Sequence, residues 1–290
     1  GQFFKNGLVV SPNLCGLRDS DFGSKTGAGN SFEKGCGALM AKTIVAFVFV
    51  IFVSSSAYAN CRQALAFGLD VSGSVNEQEY ILQREGLANA LLSPMVQQAI
   101  FAMPNAPIKL MVFEWSAASY QRVLVDWKDM NAPSDLEAFS KSLVLAPQSK
   151  RPYSTGLSGA MKFGVSQLKN QSGCWRRTLD ISGDGIANDG PFPSTLFRSE
   201  GIENIVINGL IIGAADKNGS QGMVYETRKL AKYYEDVVVR GTDAFVETAF
   251  GFGDYYEAMQ RKLLREIPVI AISSNLRDIP RLAELESSGQ

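Results

Sequence analysis

From position 64 onward, short apolar runs alternate with segments whose apolar residues recur every three or four positions. Ala64-Leu65-Ala66-Phe67-Gly68-Leu69 is almost wholly apolar and ends in Asp70, as a strand buried on both faces does; it is the predicted central strand. Residues 77–92 place apolar side chains at 81, 82, 87, 88, 91 and 92, a helical period that Pro94 stops. The same reading gives a strand at 108–115 and an edge strand at 120–127 paired with it through a short turn. A helix follows at 134–143, capped by Ser134 or Asp135. Further helices are expected at 155–168, 222–234 and 254–266, and strands at 177–182, 204–212 and 235–239. Strands alternating with helices predict an α/β domain: a doubly wound, mostly parallel sheet with one antiparallel edge strand. No internal repeat is visible, and no linker divides residues 60–270.

Upstream of this domain the pattern changes. Met40-Ala41-Lys42-Thr43 precedes an apolar run from Ile44 to Val53 and then Ser54-Ser55-Ser56-Ala57-Tyr58-Ala59. A basic start, a short apolar core and an Ala-x-Ala ending are the parts of a secretory signal peptide, with cleavage expected after Ala59. The run falls well short of the roughly 20 residues that span a bilayer. Residues 1–39 read as sequence upstream of the start at Met40, and 271–290 as a C-terminal tail. Export implies a periplasmic or secreted chain in an oxidising compartment. The two remaining cysteines, Cys61 and Cys174, each precede a predicted strand by a few residues. If those strands are parallel neighbours, a Cys61–Cys174 disulfide is geometrically reasonable; two buried thiols are the alternative.

Composition narrows the chemistry. The 290 residues contain no histidine, which removes Ser-His-Asp and Cys-His nucleophile pairs, His-ligated zinc and His general bases. The formal net charge is -1, and no Lys/Arg-rich run occurs, so nucleic acid is not an expected partner. Gly23-Ser24-Lys25-Thr26-Gly27 lacks the glycines a phosphate-binding loop needs.

In doubly wound sheets ligands bind beyond the carboxyl ends of the strands, where the strand order reverses. There the sequence places Asp70-Val71-Ser72-Gly73-Ser74, whose carboxylate and two hydroxyls alternate in one loop. After the fourth strand comes Ser182-Gly183-Asp184-Gly185, and before the helix at 155 comes Ser154-Thr155-Gly156. Two carboxylates and three hydroxyls are hard oxygen donors suited to Mg²⁺, Ca²⁺ or Mn²⁺. Taken singly, the first motif also reads as a turn in which Ser74 or Asn76 caps the following helix. Asp180, inside a strand, is read as structural, and Asp189 as a loop residue. Tyr233, Tyr234, Phe245, Phe250 and Phe252 are read as packing.

Asp70-x-Ser72-x-Ser74, then Thr155, then Asp184-Gly185, at the ends of alternating strands, resembles the metal-ion-dependent adhesion site of the von Willebrand factor type A domain. The resemblance covers about residues 62–268. It is nearest to a branch of exported bacterial proteins of unknown function in which Asp-x-Ser-Gly-Ser, Phe-Glu-Trp-Ser (here 113–116) and Ser-Gly-Asp-Gly recur. It implies a Rossmann-like sheet and one divalent ion ligated directly by Ser72, Ser74 and Thr155. Asp70 and Asp184 would act directly or through water, and a partner's carboxylate would complete the shell. Two departures stand out: Thr155 lies in Tyr153-Ser154-Thr155-Gly156-Leu157, which leaves Ser154 as an alternative donor, and Gly183 separates Ser182 from Asp184. Glu114, Trp115 and Ser116 are expected to border the metal, as contact residues or as packing.

The expected function is therefore an exported binding module, not an enzyme, which captures a protein or other ligand through an acidic group. A metal-assisted phosphoesterase and a structural domain with a vestigial site are the alternatives. The first needs a general base, for which only Glu114, Asp180 or Asp189 is at hand.

Overall fold

The computed structural model describes residues 61–198, 202, 204–213 and 220–267. The segments read as upstream sequence, signal peptide and tail lie outside them. The elements are β1 (Cys61–Asp70), α1 (Glu77–Leu92), α2 (Pro94–Phe101), β2 (Ile108–Trp115), β3 (Gln121–Met130), α3 (Pro133–Val144), α4 (Leu157–Lys169), β4 (Cys174–Gly183), β5 (Ile205–Ile212), α5 (Ser220–Val237), β6 (Val246–Ala249) and α6 (Tyr255–Glu266). The sheet order is β3-β2-β1-β4-β5-β6, and β3 alone runs antiparallel, to β2. This is the expected doubly wound sheet with an antiparallel edge strand.

β1 is central and buried along its whole length. Its alternate residues serve two cores. Leu65, Phe67 and Leu69 pack with residues of α1, α2, α3 and α6, while Ala64 and Ala66 face Met111, Phe113, Leu157, Met161 and Tyr234. A strand with an apolar core on each face has no polar side to spare, which is why its sequence reads as an unbroken apolar run.

One expectation holds with an addition, and two need correction. Pro94 does stop α1, but it also opens α2, because the first helical turn has no use for the proline's missing N–H. The two α2 carbonyls at Ala99 and Ile100 are met by the Arg62 guanidinium, both at 2.8 Å. The strand expected at 235–239 is not formed: α5 continues to Val237, and the edge strand is the later, shorter β6. The apolar pair Val237-Val238 is buried by the end of the helix, so its burial alone did not reveal its conformation. At α3 neither Ser134 nor Asp135 is the N-cap. Ala132 holds that position, and Asp135 reaches back to accept the N–H groups of Ala132 at 3.0 Å and Asn131 at 3.1 Å.

Cys61 and Cys174 are opposite one another in the β1–β4 register, and the disulfide joins them with Cα atoms 4.5 Å apart. The other end of the same two strands carries the aspartates of interest. Between them, Asp180 is fully buried and ion-paired with Lys262 of α6 at 2.8 Å, and Lys262 also meets Glu266. Glu266 accepts from Asn208 of β5 at 2.6 Å. Asp180 thus ties α6 to the sheet, the structural role its position in the strand indicated.

Candidate metal centre

The chain builds outward from β1 to β2 and β3, then returns to the opposite side of β1 with β4. The strand order therefore reverses between β1 and β4, which puts the loops after Asp70 and Gly183 side by side. The Ser74 hydroxyl donates to Asp184 Oδ1 at 2.6 Å, joining positions 110 residues apart. Ser72 Oγ and Ser74 Oγ lie 3.4 Å from each other.

Asp70 has no exposed surface. One of its oxygens accepts the Ser72 N–H at 2.7 Å, and the other is buried without a hydrogen-bond partner. Burial, then the nearby negative charge of Asp184, push its pKa up to about 7, against the lowering effect of the Ser72 hydrogen bond. Asp184 is raised as well, chiefly by desolvation, with Glu79 adding to the effect and the Ser74 hydroxyl opposing it. The charge of Asp184 acting on Asp70 in a poorly solvated place is an electrostatic setting that a cation would relieve. The helix-cap alternative for Ser74 is also settled: Asn76 caps α1, accepting from Glu79 N–H at 3.0 Å while Glu79 accepts from Asn76 N–H at 2.9 Å. Ser74 is left to face Asp184.

Thr155 and Ser154 are separated by the turn at 188–190. Asn188 Oδ1 accepts from Thr155 N–H at 2.8 Å, and Thr155 C=O accepts from the N–H groups of Asn188 and Asp189. Asp189 takes the Ser154 hydroxyl at 3.0 Å together with Ala118 N–H at 2.9 Å. Ser154 is thereby committed to the turn, which leaves Thr155 as the candidate hydroxyl of this loop. The loop is held close to the β2–β3 turn through Gly156, whose N–H donates to Ser116 C=O at 2.6 Å; a Cβ there would collide with the backbone of Ala117 and Ala118.

Glu114, Trp115 and Ser116 are buried, so they form no exposed rim. Glu114 accepts from Tyr80 at 2.5 Å, Tyr120 at 2.7 Å and Arg122 at 2.9 Å. Desolvation raises its pKa, but these bonds outweigh it and leave the group below the ordinary carboxylate value. Two residues that the sequence marked only as packing or not at all also belong here. The buried Tyr234 hydroxyl approaches Gly183 beside Asp70, and Arg151 donates to the carbonyls of Val71 at 2.7 Å and Val75 at 3.1 Å, at either side of the Ser72–Ser74 turn.

Asp70 and Asp184 come together with the hydroxyls of Ser72 and Ser74 at one end of the sheet, Thr155 being the candidate donor of the third loop, and an unpartnered buried Asp70 oxygen is of the kind that suits a hard divalent cation. Among the described residues no cluster of three or more His, Cys, Asp or Glu side chains is present; the set relies on hydroxyls beside its two carboxylates.

Many solved structures are similar to the chain, among them the following three. Proximal thread matrix protein 1 from the mussel byssus, with a zinc-occupied MIDAS motif, is 14% identical, with 72% of this chain and 46% of that one covered at a TM-score of 0.46. The pilus adhesin SpaC from Lactobacillus rhamnosus GG is 12% identical, with 71% and 31% covered at 0.49. A von Willebrand factor type A structure from Catenulispora acidiphila is 11% identical, with 70% and 42% covered at 0.48. The chain spans less than half the length of each. No curated protein matches it. The family model for Protein of unknown function (DUF1194) matches residues 60–271, and the chain belongs to that family.

Proposed function

We propose that this protein is an exported binding module that holds one divalent cation, Mg²⁺ or Ca²⁺ with Mn²⁺ also suited, and captures an acidic group of a protein or other ligand through it. The observation that carries the reading is Asp70, a wholly buried carboxylate with one oxygen fixed by the loop and the other without a partner, facing Asp184 across the Ser72–Ser74 turn. Ser72, Ser74 and Thr155 supply hydroxyl oxygens as direct ligands, and Asp70 and Asp184 supply charge, directly or through water. When bound, the ion offers a coordination position that a ligand carboxylate fills.

A binding role fits better than catalysis. The three carboxylates considered for a general base are all committed: Glu114 to two tyrosines and Arg122, Asp180 to Lys262, and Asp189 to Ser154 and Ala118. Export is supported by the signal-like segment 40–59 and by the disulfide. No helix among the described residues is long and apolar enough to cross a membrane.

The test is calorimetric titration of Mg²⁺, Ca²⁺ and Mn²⁺ into the protein and its Asp70→Asn variant. One ion should bind per chain, with affinity lost in the variant. A wild type that binds none of the three, alone or with an acidic peptide present, would defeat the proposal.

A further inference from the structure

Beside the Ser72–Ser74 turn lies a cavity of about 460 Å³ lined by Ser72, Val75, Ser149, Lys150, Arg151 and Tyr153. Its wall is the strap at 149–153, which is fixed at several points. Ser149 donates to Glu114 at 3.2 Å, Arg151 binds the carbonyls of Val71 and Val75, and Tyr153 C=O accepts from Gly73 N–H at 2.8 Å. A wall already held by the protein costs little ordering when a ligand arrives.

Two cations face this cavity without a carboxylate partner among the described residues. The Arg151 guanidinium lies 5.4 Å from the Tyr80 ring centroid, and its hydrogen bonds go to the carbonyls of Val71 and Val75 and, at 2.9 Å, to the neutral side-chain oxygen of Gln148. Lys150 is exposed and forms no ion pair. The acidic side chains of the first turn of α1 do not offset them directly: Glu79 is held in the α1 cap, and Glu77 accepts from the Gln148 amide at 3.3 Å. Two positive charges beside a site for a divalent cation, that of Arg151 held in place by its hydrogen bonds, repel the cation unless an anion stands between them. Tyr153, 83% exposed at the mouth, adds an aromatic surface of the kind that packs against peptide.

We propose that this cavity is a second anion subsite, and that the preferred ligand is an acidic peptide segment with two carboxylates, one on the metal and one on Lys150 within the field of Arg151. The inference rests on the metal-site reading above. It assigns the partner chemistry: a run of Asp or Glu in an extended segment, in place of a lone acidic residue.

The experiment uses the Mg²⁺-loaded protein and two end-blocked peptides, one with four consecutive aspartates and one with a single aspartate followed by three asparagines. Mg²⁺ affinity is measured first. The wild type should prefer the first peptide by more than tenfold, as about 1.5 kcal/mol or more for a hydrogen bond to a charged group gives, beyond a statistical factor of roughly four. Lys150→Ala should bring the preference down to that statistical factor, and Lys150→Glu should abolish it, both with Mg²⁺ affinity kept or raised, since each removes a charge that repels the ion. Full preference in Lys150→Ala, or none in the wild type while both peptides bind, overturns the second subsite and leaves the metal reading standing. Absence of Mg²⁺ binding, or Mg²⁺ binding with no affinity for either peptide, overturns both.

Discussion

Gly183 and Tyr234 meet at the floor of the candidate metal centre: a Cβ on Gly183 would collide with the Tyr234 hydroxyl and stand 3.1 Å from Asp70 Oδ2. The glycine that interrupts Ser182 and Asp184 is therefore a steric requirement of the buried tyrosine. Gly183→Ala should cost about 1–3 kcal/mol of stability, the usual range for overpacking, and weaken Mg²⁺ binding by displacing Asp70. Tyr234→Phe removes the colliding oxygen. The double variant should regain much of the loss, giving a favourable coupling in a double-mutant cycle of chemical denaturation. Additive losses would show that the two side chains do not compete for this space.

The pH dependence of the metal-free protein follows from burial. Asp70 and Asp180 are both pushed up to about 7, by desolvation first; Asp184 adds to the shift at Asp70, and at Asp180 Glu266 raises it against the lowering effect of Lys262. In the unfolded chain an Asp titrates near 4. Between about pH 4 and 7 the folded state then binds more protons, so stability falls as pH rises through that window. Glu114 has the opposite sign, but its lowered value places its contribution below the ordinary carboxylate range, outside the window. In chelator the melting temperature should be lower at pH 8 than at pH 5, and Mg²⁺ should raise it more at pH 8. Asp70→Asn in chelator should narrow the pH difference. A melting temperature in chelator that climbs from pH 5 to pH 8 would refute this account.

The sheet was legible because a strand covered on both faces must be apolar throughout, and β1, β2 and β5 meet that condition almost residue for residue. The disulfide was legible for the same reason, since its cysteines head two parallel neighbours. What sequence alone did not resolve is local competition. Val237 and Val238 suit a strand or a helix end equally, and only packing against the sheet decides. Likewise, nothing in Tyr153-Ser154-Thr155 says which hydroxyl Asp189 takes, because that choice depends on a turn more than thirty residues away. Tyr234 and Arg151 were missed as site residues because an aromatic on a helix and an arginine in a loop carry no pattern. The close approach to Gly183 was the available signal.

The disulfide and the candidate metal centre sit at opposite ends of β1, a strand of ten residues and so roughly 30 Å long at about 3.3 Å per residue. Replacing both cysteines with alanine should lower stability by up to about 5 kcal/mol, the entropic estimate for a closed loop of this size. Metal affinity under native conditions should be unchanged, because the register of β1 on β4 is set by the buried residues along the whole strand pair. Equilibrium unfolding and ion titration of the double variant separate the two effects. Loss of ion binding in a variant that is still folded would mean that the disulfide sets the site geometry.

The two adjacent hydroxyls offer the sharpest test of which side chain serves the ion. Ser154 Oγ is 3.0 Å from Asp189 Oδ2, and Asp189 keeps its bond from Ala118 N–H whether or not Ser154 is there. Ser154→Ala should therefore leave ion affinity within about threefold of the wild type, roughly 0.6 kcal/mol, because the bond lost runs to the Asp189 carboxylate and not to the ion. Thr155→Ala removes a donor from the ion's shell while keeping the backbone bonds of Thr155 to Asn188 and Asp189, so the loop stays in place. Its affinity should fall by at least about tenfold, comparable to the loss of a charge-assisted hydrogen bond. Thr155→Ser, which restores the hydroxyl, should recover most of it. If instead Ser154→Ala carries the larger loss, the turn at 188–190 must release Ser154 when the ion binds, and Asp189 becomes the group that moves.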